Sequence, residues 1–274
     1  MGDWRERLHI PMSLAEYELL PFDPGWKQEY WDGQLHLTPR LITAVVKLEL
    51  EPHPVNSAYP LRPVTPEDRE QLLAGYLAAF ADTVHFLGWK QQKIIEHARQ
   101  DLDIFFAGKR GAPVLAASQV ATARAGATQA ERVIGAALIN QGHVDSPLLY
   151  LLFVLPEYHR QGIGRAMIAA AINQLYADGE RILRSQYDLG NHESRAWHNR
   201  MGFVEELDLL VHPLLYREVK TELWRHEKLN HLQPAEVEAL LRRRDELKAQ
   251  CEQVEALMDR LEFAALDSRR GIKW

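Results

Sequence analysis

Residues 151–167 read LLFVLPEYHRQGIGRAM, and the chemistry this stretch could support is anion binding. An apolar run breaks at Pro156. Gly162 and Gly164 then follow, with Arg160 and Arg165 beside them, and helix-like sequence begins at about Gly164. The first N–H groups of a helix have no intrahelical partners and sit at the positive end of its dipole, so a glycine loop opening a helix offers amides to phosphate. Glycine there also removes side chains that would hold a pyrophosphate off the backbone, and it permits unusual φ values. A plain strand-to-helix turn would use the same two glycines, and these residues alone do not separate the readings. A dinucleotide fingerprint would place a third glycine where Met167 stands, and a P-loop would read Gly-Lys-Ser/Thr where the chain has Gly164-Arg165-Ala166.

These residues have to be positioned by regular elements, and the pattern along the chain separates three regions. Residues 1–57 are β-rich: EYWDGQLHL carries the two-residue hairpin signal Asp32-Gly33, LITAVVKLEL reads as strand, and EPHPVNSAYP reads as a Pro-rich linker. Residues 58–211 are mixed α/β. Thr65 and Pro66 open an amphipathic helix, a second helix lies near Gln91 to Leu102, and PVLAASQVATA and RVIGAALINQG read as neighbouring strands. SPLLYLLFVLP is apolar throughout, as a central strand covered on both faces would be. After it come a helix ending at Gly179, a strand RILRSQYDL, a short helix ending at Gly202 and a last strand FVEELDLLV.

Residues 212–274 are predominantly helical. Val237, Leu240, Leu247, Val254, Met258 and Leu261 hold a and d positions of a heptad register, with Arg244 and Cys251 at the remaining a positions. Such a stripe predicts packing against another helix, in this chain or in a twin, so a homo-oligomer through the C-terminal helix is one expectation.

Composition narrows the function classes. With 46% hydrophobic and 26% charged residues in 274, the chain is that of an ordinary globular protein. A net charge of -6 and a pI near 6.1 argue against a general nucleic-acid partner. The longest apolar run, Leu148 to Leu155, is far too short to span a bilayer, and MGDWRERLHI lacks the apolar core of a signal peptide. One cysteine, Cys251, leaves no disulfide scaffold or Cys-rich zinc site, and RHEKLNH lacks the i, i+4 pair with a nearby acid that a helical metal site shows. A cytoplasmic protein with no membrane partner and no metal is expected. RRRD at residues 242–245, set among acidic residues, reads as a salt-bridged helix face.

VLPEYHRQGIGRAMIAAAI resembles motif A of the GNAT superfamily of acyl-CoA-dependent N-acyltransferases, and NHESRAWHNRMGF, Asn191 to Phe203, resembles its motif B at the expected separation. The resemblance covers residues 58–211 and not the two ends. It implies an α/β (α+β) fold: a mixed, mostly antiparallel central sheet flanked by helices, with its fourth and fifth strands splayed to admit the pantetheine arm.

Carried over residue by residue, it implies that Phe153, Val154 and Leu155 offer backbone groups to pantetheine and the acetyl carbonyl. Arg160, Gln161, Gly162, Ile163, Gly164, Arg165 and Ala166 would hold the pyrophosphate, mainly through backbone N–H groups, and Asn191 would contact the cofactor.

Two positions depart from the family pattern. His159 stands where Arg or Gln is usual, and His198 stands where the family keeps the tyrosine proposed to protonate the leaving thiolate. An imidazolium donates a proton at neutral pH more readily than a phenol, so His198 is a candidate general acid; packing in the short helix explains it equally well. No carboxylate lies within LLYLLFV, where several members keep a glutamate, so the base must come from elsewhere; Asp188 at the end of the fifth strand is the candidate, ahead of Tyr187 and Glu193.

The expected function is transfer of an acetyl group from acetyl-CoA to a primary amine, of a small molecule or a peptide, by direct attack. The alternative is a CoA-binding, catalytically degenerate module acting in assembly or regulation.

Overall fold

The structure, a computed structural model, describes residues 8–124, 131–142 and 146–270. The chain forms two compact units. One comprises residues 45–187 and 193–205; the other comprises the chain up to residue 44, residues 188–192 and residues from 206 onward. Among the described residues, those toward both ends of the chain group in this second unit. Among the described residues no helix is long and apolar enough to cross a membrane.

In the latter unit, β1 (Leu8–Pro11), β2 (Trp26–Trp31) and β3 (Gln34–Pro39) form an antiparallel sheet in the order β1-β3-β2, with α1 (Leu14–Glu18) between the first two strands. The hairpin read from Asp32-Gly33 is present. Both residues have positive φ, 52° and 71°, and Trp31 pairs with Gln34 across the two-residue loop, which is what a tight hairpin matched to strand twist requires.

The other unit is built on a seven-stranded sheet. Its strands are β4 (Thr43–Glu49), β5 (Leu61–Pro63), β6 (Gln119–Ala123), β7 (Arg132–Gln141), β8 (Pro147–Val154), β9 (Ile182–Asp188) and β10 (Val204–Glu205), in the order β10-β4-β9-β8-β7-β6-β5. The pairs β10–β4, β5–β6, β6–β7 and β7–β8 are antiparallel, and β8–β9 is parallel. LITAVVKLEL, expected in the N-terminal region, supplies β4 inside this sheet, with Ala44, Val46 and Leu48 buried on one face. Its alternation identified a half-buried strand but carried no information about which sheet would pair with it.

Four helices complete this unit: α2 (Arg69–Phe80), α3 (Gln91–Phe106), α4 (Ile163–Ala177) and α5 (His192–Met201). α2 packs on β7 and β8, and α4 packs on β6, β7 and β8. They cover opposite faces, because Phe153 of β8 meets α2 at Gly75 while its neighbour Val154 lies beside Gly164 of α4. Ile134, Leu138, Ile139, Met167, Ile168 and Ile172, all fully buried, form the centre of the core.

Two extended readings shorten. Of PVLAASQVATA only Gln119–Ala123 is strand, the start being a turn in which the Val114 N–H donates to the Ile139 carbonyl; of FVEELDLLV only Val204–Glu205 is strand. The second helix runs on to Phe106.

Before α2, Thr65 and Pro66 open a single 3-10 turn, and Asp68 holds its start. Its carboxylate accepts two hydrogen bonds from Arg62, at 2.7 and 2.8 Å, and one from the Thr65 N–H at 2.9 Å. Burial raises the Asp68 pKa, but these bonds outweigh it and hold the carboxyl below its ordinary range. Asp68→Ala is expected to cost about 2 kcal/mol, since it removes the buried carboxylate that accepts twice from Arg62 and once from a backbone N–H. Urea unfolding checks it, and the loss in the parent should set in as pH falls through the folded-state pKa of Asp68.

In the unit that holds the chain ends, α6 (Val211–Leu229) and α7 (Pro234–Arg270) are joined at Asn230, which takes a left-handed conformation, φ 46°. They pack against each other, with Leu247 and Val254 buried and Val237, Leu240 and Met258 half-buried. The heptad stripe thus meets a helix of the same chain. The side chain of Leu261 lies outside the described residues.

Candidate active site

The site begins where two parallel strands part. β8 and β9 are bridged at Leu148 and Arg184, and among the described residues no further pair from there toward Val154 and Tyr187 is in register. At the same point β8 carries a bulge: Leu151 pairs with Leu138 and Leu149 with Ile139, so Tyr150 is an extra residue without a partner in β7. Beyond the bulge the Leu155 N–H donates to the Ile134 carbonyl at 2.8 Å. The alternation of an antiparallel ladder then turns Phe153 and Leu155 toward β7 and leaves the backbone groups of Leu152 and Val154 facing the opening. Of the three residues expected to offer backbone there, the geometry turns Val154 toward it, with Leu152 in place of its two neighbours. The Val154 carbonyl lies 2.9 Å from Nε2 of His159.

The loop after β8 makes one 3-10 turn, Pro156–Tyr158, and leads through Arg160, φ 61°, to Gly162, φ 77°, which caps α4. Gly162 has to adopt a left-handed conformation that side chains resist; Gly164 does not, and a Cβ there would meet Trp197 and Val154 only at ordinary contact distance. α4 has no side-chain cap, and its first internal bond is from the Ala166 N–H to the Gly162 carbonyl. The N–H groups of Ile163, Gly164 and Arg165 therefore have no partner inside the helix, whereas that of Ala166 is taken. Gln161 is held by the Tyr59 hydroxyl, which donates to its Oε1 at 2.8 Å.

A cleft of about 360 Å³ opens against this helix start, lined by Gly162, Arg165, Ala166 and Ala169, by His53, Pro54 and Asn56, and by Arg200 and Met201. The segment read as a linker thus forms one wall. It is pinned there by a reciprocal pair of 2.8 Å bonds, from the His53 N–H to Asn173 Oδ1 and from Asn173 Nδ2 to the His53 carbonyl. Free amides and two guanidiniums, Arg165 and Arg200, converge on a pocket of this kind, and that donor set suits a phosphorylated ligand.

His198 lies elsewhere on α5, 4% exposed. Its Nδ1 is 2.8 Å from the Ser194 carbonyl and its Nε2 is 2.8 Å from the Ser185 hydroxyl of β9. A carbonyl only accepts, so Nδ1 carries the proton and, in the neutral ring, Nε2 accepts from Ser185. Burial pushes the imidazole pKa down, partly offset by the bond to Ser194 and by Glu205, so the neutral ring is favoured. Beside it the Tyr187 hydroxyl donates to Glu205 Oε1 at 3.0 Å. Of the two readings of His198, general acid and packing in the short helix, this environment favours the neutral ring over a standing imidazolium.

Asp188 ends β9. Its Oδ1 accepts from the Thr43 hydroxyl at 2.8 Å, and its carbonyl accepts from the Asn191 N–H, closing a turn. Both Asp188 and Asn191 group with the unit that holds the chain ends, while Phe153 to Ala166 and His198 group with the other.

Sequence reasoning missed Arg200, His53, Asn56 and Ser185. Arg200 sits inside the motif B stretch and was the one with a signal; the other three are ordinary polar residues that only packing brings to the site. Among the described residues no group of three or more His, Cys, Asp or Glu could hold a metal.

A model of the acetyltransferase (GNAT) family matches residues 88–203. No curated protein sequence matches the chain. Among solved structures the chain is similar to the GCN5-related N-acetyltransferase from Sphaerobacter thermophilus, at 14% identity and TM-score 0.43, over 60% of this chain and 48% of that one. The chain thus spans about half the length of that relative. It is also similar to the PaiA N-acetyltransferase from Thermoplasma acidophilum in complex with coenzyme A, at 17% identity and TM-score 0.44, over 55% of this chain and 92% of that one. A third is a GNAT family acetyltransferase from Brucella melitensis in complex with acetyl-CoA, at 23% identity and TM-score 0.38, over 54% of this chain and 84% of that one. The family match runs from before α3 through α5 and contains the parted strands and the amide loop between them, so residues 88–203 carry the similarity to the acetyltransferase (GNAT) family.

Proposed function

We propose that the chain transfers an acetyl group from acetyl-CoA to a primary amine, of a small molecule or a peptide, by direct attack. The observation that carries this reading is the helix start at Gly162, where unpartnered N–H groups, Arg165 and Arg200 face one cleft beside the opening between β8 and β9. The N–H groups from Gln161 to Arg165 would hold the pyrophosphate, and the two arginines would add charge to its rim. Val154 and Leu152 would meet the pantetheine amides, and the thioester would then stand at the closed end of the opening, near the Tyr150 bulge. Asn191 remains a candidate for a further cofactor contact, and Asp188, held by Thr43, for an indirect role at the end of β9.

Calorimetry with CoA, and release of free thiol from acetyl-CoA across a panel of amines, test the reading. Binding in the micromolar range with turnover of at least one amine is expected. Arg165→Ala combined with Arg200→Ala should weaken CoA binding about tenfold or more, since each loses a charge-assisted bond. Burial of a neutral His198 favours a second reading, a CoA-binding module without turnover; binding with no thiol release from any amine would establish it and end the first.

A further inference from the structure

We propose that Ser185 handles the proton at the reacting centre and that His198 serves it from behind as a proton store. This rests on the direct-transfer reading above. Ser185 is the first residue of β9 past the Leu148–Arg184 bridge, so it stands at the point where the strands part, and it is 2% exposed. Its hydroxyl is 2.8 Å from His198 Nε2. Imidazole is shorter than phenol, so its Nε2 falls short of the place a phenol oxygen would reach, and the hydrogen bond to Ser185 extends it. The His198–Ser185 pair therefore spans, from the α5 backbone, about the reach that a tyrosine at position 198 would have alone. The serine oxygen takes the place of the phenol oxygen, and the imidazole fills the space behind it.

The arrangement fixes the direction of proton flow. With Nδ1–H committed to the Ser194 carbonyl, Nε2 has a lone pair and Ser185 points its proton at it. Attack forms the N–C bond to the thioester carbonyl while the C–S bond breaks. The amine nitrogen gives one proton to Ser185 Oγ as Ser185 passes its own to His198 Nε2, and the reverse transfer delivers a proton to the departing thiolate. The products are the amide and the free thiol, with Ser185 and His198 as they began. Ser185 is thus the catalytic residue and His198 a positioning residue. The groups facing His198 suit a ring that is briefly charged: Glu205 on β10, with Tyr187 of β9 bonded to it, lies on one side, and the rings of Trp197 and Phe203 close the rest.

In the full chain, with the amine found above, Ser185→Ala should lower kcat about a hundredfold while CoA affinity by calorimetry stays at the parent value. The parent's kcat should fall as pH drops through the His198 pKa, because a protonated Nε2 accepts nothing, and that acidic limb should vanish in Ser185→Ala. Adding His198→Tyr to Ser185→Ala should recover about tenfold or more of the lost rate, since a phenol reaches the site unaided. Parent-like kcat and pH profile in Ser185→Ala would overturn the relay and leave acetyl transfer standing. A parent chain that binds CoA yet frees no thiol with any amine overturns both.

Discussion

Gly162→Val is expected to weaken CoA binding roughly ten- to a hundredfold, whereas Gly164→Ala is expected to leave it nearly unchanged. Gly162 caps α4 at φ 77° and lines the cleft, and no atom lies within 4 Å of the place its Cβ would take. The protein itself does not collide with an added side chain there. The cost is backbone strain, on the order of 1–3 kcal/mol for a residue held in the left-handed region, and it is worst for a β-branched one. Relief of that strain would swing the loop amides away from their common focus, and about 1.4 kcal/mol corresponds to a tenfold change in affinity.

Gly164 has no such φ, and a Cβ there would meet Trp197 Nε1 at 3.6 Å and Val154 Cγ2 at 3.7 Å, ordinary contact distances. Calorimetry on both variants decides the matter. Equal losses would mean that bulk in the loop matters and that the conformation of Gly162 does not.

Gly75→Ala should destabilise the chain by about 1–3 kcal/mol, against the sign that helix propensity alone gives. In an exposed helix interior the change would add about 1 kcal/mol of stability. Here α2 lies so close to the sheet that a Cβ at position 75 would come 2.2 Å from Cε2 of Phe153, whose ring is 3% exposed. A buried ring has little room to retreat, so overpacking outweighs propensity. Phe153 belongs to β8 just beyond the bulge, so the displaced strand is the one that borders the opening. Urea midpoints should fall in Gly75→Ala and recover partly when Phe153→Leu is added. A stable single variant would show that ring and helix part without cost.

Much of the site was legible because its chemistry lies in local backbone. The apolar run from Leu148 to Leu155, the break at Pro156 and the glycine before a helix describe a strand, a loop and a helix start in consecutive residues. A helix start exposes amides whatever surrounds it. Motif B was legible for the same reason, as a short helix bounded by Asn191 and Gly202. The hairpin at Asp32-Gly33 is another local event, set by two residues that tolerate positive φ.

What the sequence by itself determined, then, is where the chain turns and where it offers N–H groups. Tertiary structure decided which residues share a site, because that depends on contacts between segments with no fixed spacing along the chain. Thus β4 joined the central sheet, the Pro-rich segment became a wall pinned through Asn173, and the heptad stripe met α6 of its own chain. It also decided the state of His198. Its residue type placed the imidazole near neutrality between charged and uncharged forms, but burial beneath β9, with a carbonyl at one nitrogen and Ser185 at the other, favours the neutral form and gives its proton a direction.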